Sequence, residues 1–164
     1  MNILRTLEVK LPKRGTEVAA GLDFFVPENT ESFKEAFITK NPNVYFDDEG
    51  IYLIPHSRVN IPSGIKAEVP HGYALIAYNK SGVSLKYGLD VGATVVDEDY
   101  TGVIHLSLVN TSKDTVKIEY GQKIIQFLLI PVLYEDVKEV NSEEELFTRE
   151  SSRGEGGFGS TGIK

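Results

Sequence analysis

Cysteine and tryptophan are absent from this 164-residue chain, methionine occurs once and histidine three times. Without thiols there is neither a disulfide framework nor a thiolate zinc site. His56, His71 and His105 lie too far apart for a local ligand motif, so no structural metal is expected. Long apolar runs are missing as well: the most apolar stretch, Ile124 to Tyr134, is interrupted by Gln126 and Pro131 and falls short of the roughly 18 residues a membrane span requires. Met1 to Gly15 lack the apolar segment of a secretion signal. These absences predict a soluble, intracellular protein of the cytoplasm with no membrane partner. Positive charge is also scarce, 17 Lys and Arg against 24 Asp and Glu for a net −7. Broad nucleic-acid binding depends on a summed basic field and is not expected; an anionic substrate would need local cations.

What the chain does have is a series of short runs rich in Val, Ile, Tyr and Phe between Gly, Pro and Asn punctuation. They are Leu22–Val26, Val44–Phe46, Ile51–Ile54, Arg58–Ile61, Ile65–Val69, Tyr73–Tyr78, Val103–Asn110, Thr115–Ile118 and Lys123–Tyr134. Such spacing predicts an all-β fold, in a chain long enough to bury a true core as one domain. Between Val103 and Asn110, Ile104, Leu106 and Leu108 alternate with His105 and Ser107, the pattern of a half-buried strand. Helical periodicity is confined to Glu31–Phe37 and Ser142–Thr148, both too short to form a helical core, with Ser142 and Glu145 spaced as a capping box. The main domain is expected over residues 1–140, with an irregular insertion at 27–50 making an excursion from the sheet. An acidic tether follows at 141–152, and an arm at 153–164.

That arm carries Arg153, Phe158, Ser160 and Thr161 on a backbone with five glycines, Gly159 among them. Glycine has much conformational entropy to lose, so the segment is read as ordering only on a ligand. Its guanidinium, hydroxyls and ring suit phosphate oxygens and a flat heterocycle.

Three other stretches carry chemistry. Val95 to Gly102 sets Asp97, Glu98 and Asp99 after an apolar pair. If extended, Asp97 and Asp99 share one face; the segment is either a solvated hairpin end or the seat of a general base at Asp97. Lys80, Ser81 and Gly82 follow a strand and make either a compact anion nest or a polar turn, without the upstream glycines of a P-loop. Gln126 interrupts the longest apolar strand, so it either faces water at a sheet edge or points at a ligand. Asp23, in a strand-like run, either caps a turn or orders a cation or a metal-bound water.

In order, Ala20 to Asp23, Lys80 to Gly82, Val96 to Gly102, Gly121 to Gln126 and Arg153 to Gly162 resemble the five motifs of the trimeric dUTPase family. The resemblance covers nearly the whole chain outside 27–50. It implies a jelly-roll-like β homotrimer with sites between subunits, hydrolysing dUTP to dUMP and pyrophosphate with Mg2+. That reaction clears dUTP from the nucleotide pool and supplies dUMP for thymidylate synthesis. The resemblance also assigns roles. Asp97 would activate the water attacking the α-phosphorus, Tyr100 would lie against the deoxyribose, and Val91, Thr94, Val95, Val96 and His105 would line the base-reading hairpin. Lys80, Ser81, Gly82 and Gln126 correspond to phosphate contacts, supported by Asp23. Arg153, Gly159, Ser160 and Thr161 correspond to the arm's grip on the terminal phosphates, and Phe158 to a stack on uracil. Lys80 and Lys123 stand where Arg is usual, and Thr94 where glycine is frequent. Two alternatives are a dCTP deaminase-like relative and a nucleotide-sensing binding protein that uses 27–50 as a protein-partner surface.

Overall fold

The computed structural model describes residues 1–156 and divides them into a compact unit, Met1–Leu133, and a second unit beginning at Tyr134. The first unit runs β1 (Ile3–Arg5), β2 (Lys13–Arg14), β3 (Leu22–Phe25), α1 (Glu31–Lys40), β4 (Tyr45–Phe46), β5 (Ile51–Leu53), β6 (Arg58–Pro62) and β7 (Ile65–Ala67). It continues with β8 (Tyr73–Asn79), α2 (Ser81–Tyr87), β9 (Leu89–Val91), β10 (Val95–Val96), β11 (His105–Asn110), β12 (Val116–Ile118) and β13 (Lys123–Pro131). Each of the nine apolar runs contains a strand. Every pairing is antiparallel, in sheets ordered β10-β8-β13-β3-β2, β6-β11-β9, β12-β5-β4 and β1-β7.

The long strand β13 lies between β8 and β3, its ladder paired at both edges, and its Ile124, Ile125 and Phe127 are buried in the core. Phe127 on β13 meets Phe24 on β3 with ring centroids 4.6 Å apart. In β11, Leu106 and Leu108 are buried and His105 and Ser107 are not, which is the expected alternation.

Residues 27–50 leave the sheet after β3 to form α1, which extends the helical stretch Glu31–Phe37 read from the sequence and packs on the core. Thr30 caps α1 through its hydroxyl, 3.2 Å from the Phe33 N–H, satisfying a donor that the first turn leaves without an intrahelical partner. Phe33 and Phe37, one turn apart, are fully buried. Phe33 sets its ring 5.8 Å from Tyr120, and Phe37 sets its ring 5.2 Å from Phe46. A helix of ten residues therefore supplies two of the largest core side chains, because aromatic pairs at i and i+4 need only one helical face.

In the second unit Ser142 caps a single helical turn, α3 (Glu143–Leu146), accepting from the Glu145 N–H at 3.4 Å, while Glu145 reaches back to the Asn141 N–H at 3.1 Å. Among the described residues no helix is long and apolar enough to cross a membrane.

Candidate active site

The segment between β10 and β11, read from the sequence as a hairpin, does not pair its two strands, β10 joining β8 and β11 joining β6 and β9; it borders a cavity of about 260 Å³. Thr94, Val95, Val96, Asp97, Tyr100 and His105 line it together, six of the residues singled out from the sequence. Val91 lies outside its walls: on β9 it pairs with Leu108, and its N–H donates to the Asn79 side chain at 2.7 Å. Asn60, Ala93, Ile104 and Phe127 also line the cavity, and sequence reasoning missed them. Asn60 was legible in part, as the polar member of an alternating strand.

Asp97 to Tyr100 is a turn, closed by the Tyr100 N–H to the Asp97 carbonyl at 3.3 Å. The extended alternation that would have put Asp97 and Asp99 on one face does not occur. Glu98 anchors the turn: its carboxylate accepts from the Gly72 N–H at 2.6 Å and lies 3.0 Å from His71 Nδ1. Asp97 is thereby held exposed at the rim. The Tyr100 hydroxyl donates to the Val103 carbonyl at 2.9 Å. The ring lies over Gly102, where a Cβ would come within 2.5 Å of its Cζ, so only glycine permits this placement. Burial, and next the charge of Lys40, push the His105 imidazole below its usual pKa, so the ring is neutral near neutral pH.

The Lys80 motif lies elsewhere. The two-residue β10 pairs Val95 with Ile76 and Val96 with Leu75, which sets Asp97 beside the start of β8. Lys80 follows the last residue of β8, about six residues further on and roughly 20 Å away at the rise of a strand. Ser81 and Gly82 open α2, an element the sequence did not reveal. Asn79, Ser84 and Thr111 all bond the Asp90 carboxylate, at 2.7, 2.7 and 3.2 Å, which ties the start of α2 to β9 and β11. A Cβ at Gly82 would meet nothing within 4 Å, so packing does not require glycine there.

Asp23 resolves the alternatives left open for it: it orders cations. Nearly buried, it accepts from Lys80, and from Lys123 at 3.0 Å. Burial opposes its ionisation, yet the hydrogen bonds and charges of Lys80 and Lys123 outweigh that and hold the carboxyl below its usual value. In this chain Lys80 is bound to Asp23 rather than presented alone. Gln126 is not at an edge, since β13 has a partner on each side. Its Nε2 donates to the Asn79 carbonyl at 2.9 Å, and Gly21 makes room for it, a Cβ there falling 2.4 Å from Oε1.

Arg153, in the second unit, donates from Nε to the Gly156 carbonyl at 2.5 Å. Phe158, Gly159, Ser160 and Thr161 lie outside the described residues.

The dUTPase family model matches residues 47–162. The chain belongs to the dUTPase family. Among its relatives, the deoxyuridine 5'-triphosphate nucleotidohydrolase of Chlamydia muridarum is 40% identical over 116 residues, 70% of this chain and 77% of that protein. The Chlamydia felis protein of the same name is 34% identical over 168 residues, covering 100% of both. The dUTPase of Staphylococcus bacteriophage 80alpha shares the fold at a TM-score of 0.75 and 22% identity, over 99% of this chain and 98% of that one. Family membership makes the cavity beside the β10–β11 connection the candidate nucleotide pocket.

Proposed function

We propose that this chain hydrolyses dUTP to dUMP and pyrophosphate, with the base and sugar in the cavity beside the β10–β11 connection and Asp97 as general base. The observation that carries this reading is the convergence of Thr94, Val95, Val96, Asp97, Tyr100 and His105 on one cavity with the carboxylate at its rim. Asp97 takes a proton from a water as its oxygen attacks the α-phosphorus; pyrophosphate leaves with the electrons of the broken P–O bond. Tyr100, braced by Gly102 and the Val103 carbonyl, occupies the side of the cavity where a deoxyribose without a 2′-hydroxyl fits.

The separation of roughly 20 Å along β8 supports a site shared between subunits of a homotrimer. The β10–β11 connection of one chain supplies base, sugar and Asp97 contacts, and Ser81, Gly82 and Gln126 of a neighbour supply the phosphate contacts. The open space at Gly82 suits close approach of a phosphate to the backbone. Lys80 and Lys123 around Asp23 leave a surplus positive charge beside that motif. Arg153, Ser160 and Thr161, with the backbone at Gly159, carry the guanidinium, hydroxyl and N–H groups that suit terminal phosphates, and Phe158 the ring that suits a base.

Among the described residues no group of three or more acidic or histidine side chains could hold a metal ion. Mg2+ would be carried on the triphosphate oxygens and water, its common mode, where it would offset the charge of the leaving pyrophosphate.

The test is a panel of dUTP, dTTP, dCTP, UTP and dATP with magnesium, scoring pyrophosphate and ammonia. Selective pyrophosphate release from dUTP supports the reading. Ammonia release from dCTP indicates the deaminase instead.

A further inference from the structure

The C-terminal end of α1 reaches the wall of the candidate base cavity through one side chain. Asn41 follows α1 as its C-cap and is 6% exposed. Its Oδ1 accepts from the Asn60 N–H at 2.8 Å, and its Nδ2 donates to the Asn60 carbonyl at 3.0 Å and to the Phe37 carbonyl at 3.0 Å. The carboxamide thus stands in for a missing neighbour strand. Strand β6 is the edge of its sheet, and at Asn60 both outward backbone groups are satisfied by Asn41. An edge strand left open there would leave a backbone donor and acceptor without a protein partner.

That pairing matters because of where Asn60 points. Val59 and Ile61 are buried in the core, so Asn60 projects from the opposite face. Asn60 is opposite Ser107 on β11, and His105 is two residues away on the same face. With its N–H and carbonyl turned toward Asn41, Asn60 forms a pair with Ser107 that lacks ladder hydrogen bonds, the kind in which side chains stand closest. Asn60 and His105 both line the cavity beside the β10–β11 connection. Lys40, the residue before Asn41, contributes to the field that keeps His105 uncharged. The cavity that Asp97 borders therefore also has a carboxamide and a neutral imidazole in its lining.

We propose that Asn60 is a specificity-determining residue for the nucleobase and that Asn41 is the positioning residue that presents it. The proposal rests on the reading of the cavity as the dUTP pocket and adds to whatever the backbone of the β10–β11 connection contributes. A uracil edge offers an N–H donor between carbonyl acceptors. A carboxamide offers one donor and one acceptor side by side and matches it. Cytosine replaces the 4-carbonyl with an amino donor, which an acidic side chain accepts. Rotated by 180°, the carboxamide can also meet the cytosine edge, whereas a carboxylate accepts from the cytosine amino group and has no donor for a uracil carbonyl, so the identity of residue 60 shifts the balance between the two pyrimidines. On this account the 27–50 segment is part of the pocket's scaffold, because α1 ends where the wall is fastened.

The experiment measures steady-state pyrophosphate release from dUTP and dCTP, with magnesium, for the full chain and for Asn60→Ala, Asn60→Asp and Asn41→Ala, with a thermal melt of each. Asn60→Ala is expected to raise the KM for dUTP about tenfold with kcat within about twofold, the size of one lost hydrogen bond. Asn60→Asp, nearly isosteric but acceptor-only, should lower the dUTP-over-dCTP ratio of kcat/KM by about tenfold or more. Asn41→Ala should raise the KM in the same sense, beyond any fall in melting temperature. A purely structural role would lower melting temperatures and leave KM and selectivity in place. Wild-type selectivity for dUTP with unchanged KM and selectivity in both Asn60 variants overturns this proposal alone. A wild-type chain that releases no pyrophosphate from dUTP removes the functional reading and this proposal together.

Discussion

Replacing Asp23 by Asn removes the charge on which Lys80 and Lys123 converge while preserving volume. The aspartate side chain is 6% exposed, that of Lys80 21% and that of Lys123 51%. Breaking a buried pair by neutralising one partner costs about 3 to 5 kcal/mol, because the other charge stays buried. Lys123 is half in water and re-solvates readily, so the lower end, about 3 kcal/mol, applies. At about 2.1 cal/mol/K per residue, the unfolding entropy of a chain this long is roughly 0.34 kcal/mol/K, giving a fall in Tm of about 9 °C. The sign with pH follows from the depressed carboxyl. Its stabilising contribution is fully present above the ordinary value of 3.8 and is lost as pH falls through the lower folded value. Calorimetry of the two proteins should therefore show a gap at pH 7 that closes in acid below that ordinary value. Lys123→Met should cost about 1 kcal/mol or less. A Tm for Asp23→Asn within about 2 °C of wild type at pH 7 would refute the reasoning and leave Lys80 as a freely presented phosphate ligand.

Gly21→Ala would bring a Cβ to 2.4 Å from Gln126 Oε1 and strain the 2.9 Å bond from Gln126 to the Asn79 carbonyl. A cost of about 1 to 3 kcal/mol is expected, read as a lower urea midpoint; an unchanged midpoint would show that the loop before β3 moves aside freely. Subunit sharing predicts complementation. Asp97→Asn removes the base, and Gly82→Glu places a carboxylate where the triphosphate docks without any packing clash. Each alone should be inactive, and an equal mixture of exchanged subunits should recover about a quarter of wild-type activity, the chance that a site draws its intact β10–β11 connection and its intact phosphate motif from different chains. No recovery would mean that each chain builds its own site.

The strand content was legible because alternation such as that of Ile104, Leu106 and Leu108 requires only a period of two and a buried face. The cavity was legible as far as it is local in sequence: Thr94 to Tyr100 are β10 and the turn after it, and His105 opens the next strand. Asn60 and Phe127 arrive from β6 and β13 through sheet register, which no local pattern encodes. Helix α1 was legible over Glu31–Phe37, but its place in the core was not, because its buried face is two phenylalanines in an otherwise polar run that pack on Tyr120 and Phe46, distant in sequence. The role of Asp23 depended on two lysines 57 and 100 residues away. The sequence showed a misplaced carboxylate, and only the packed sheet supplied its partners.

The central claim, that Asp97 is the base that drives hydrolysis of dUTP, is tested most directly by single-turnover pyrophosphate release from dUTP with magnesium, wild type against Asp97→Asn, alongside dUTP binding to each. The account predicts binding within a few-fold of wild type and release slower by about 100-fold or more. Release at the wild-type rate from Asp97→Asn would contradict it.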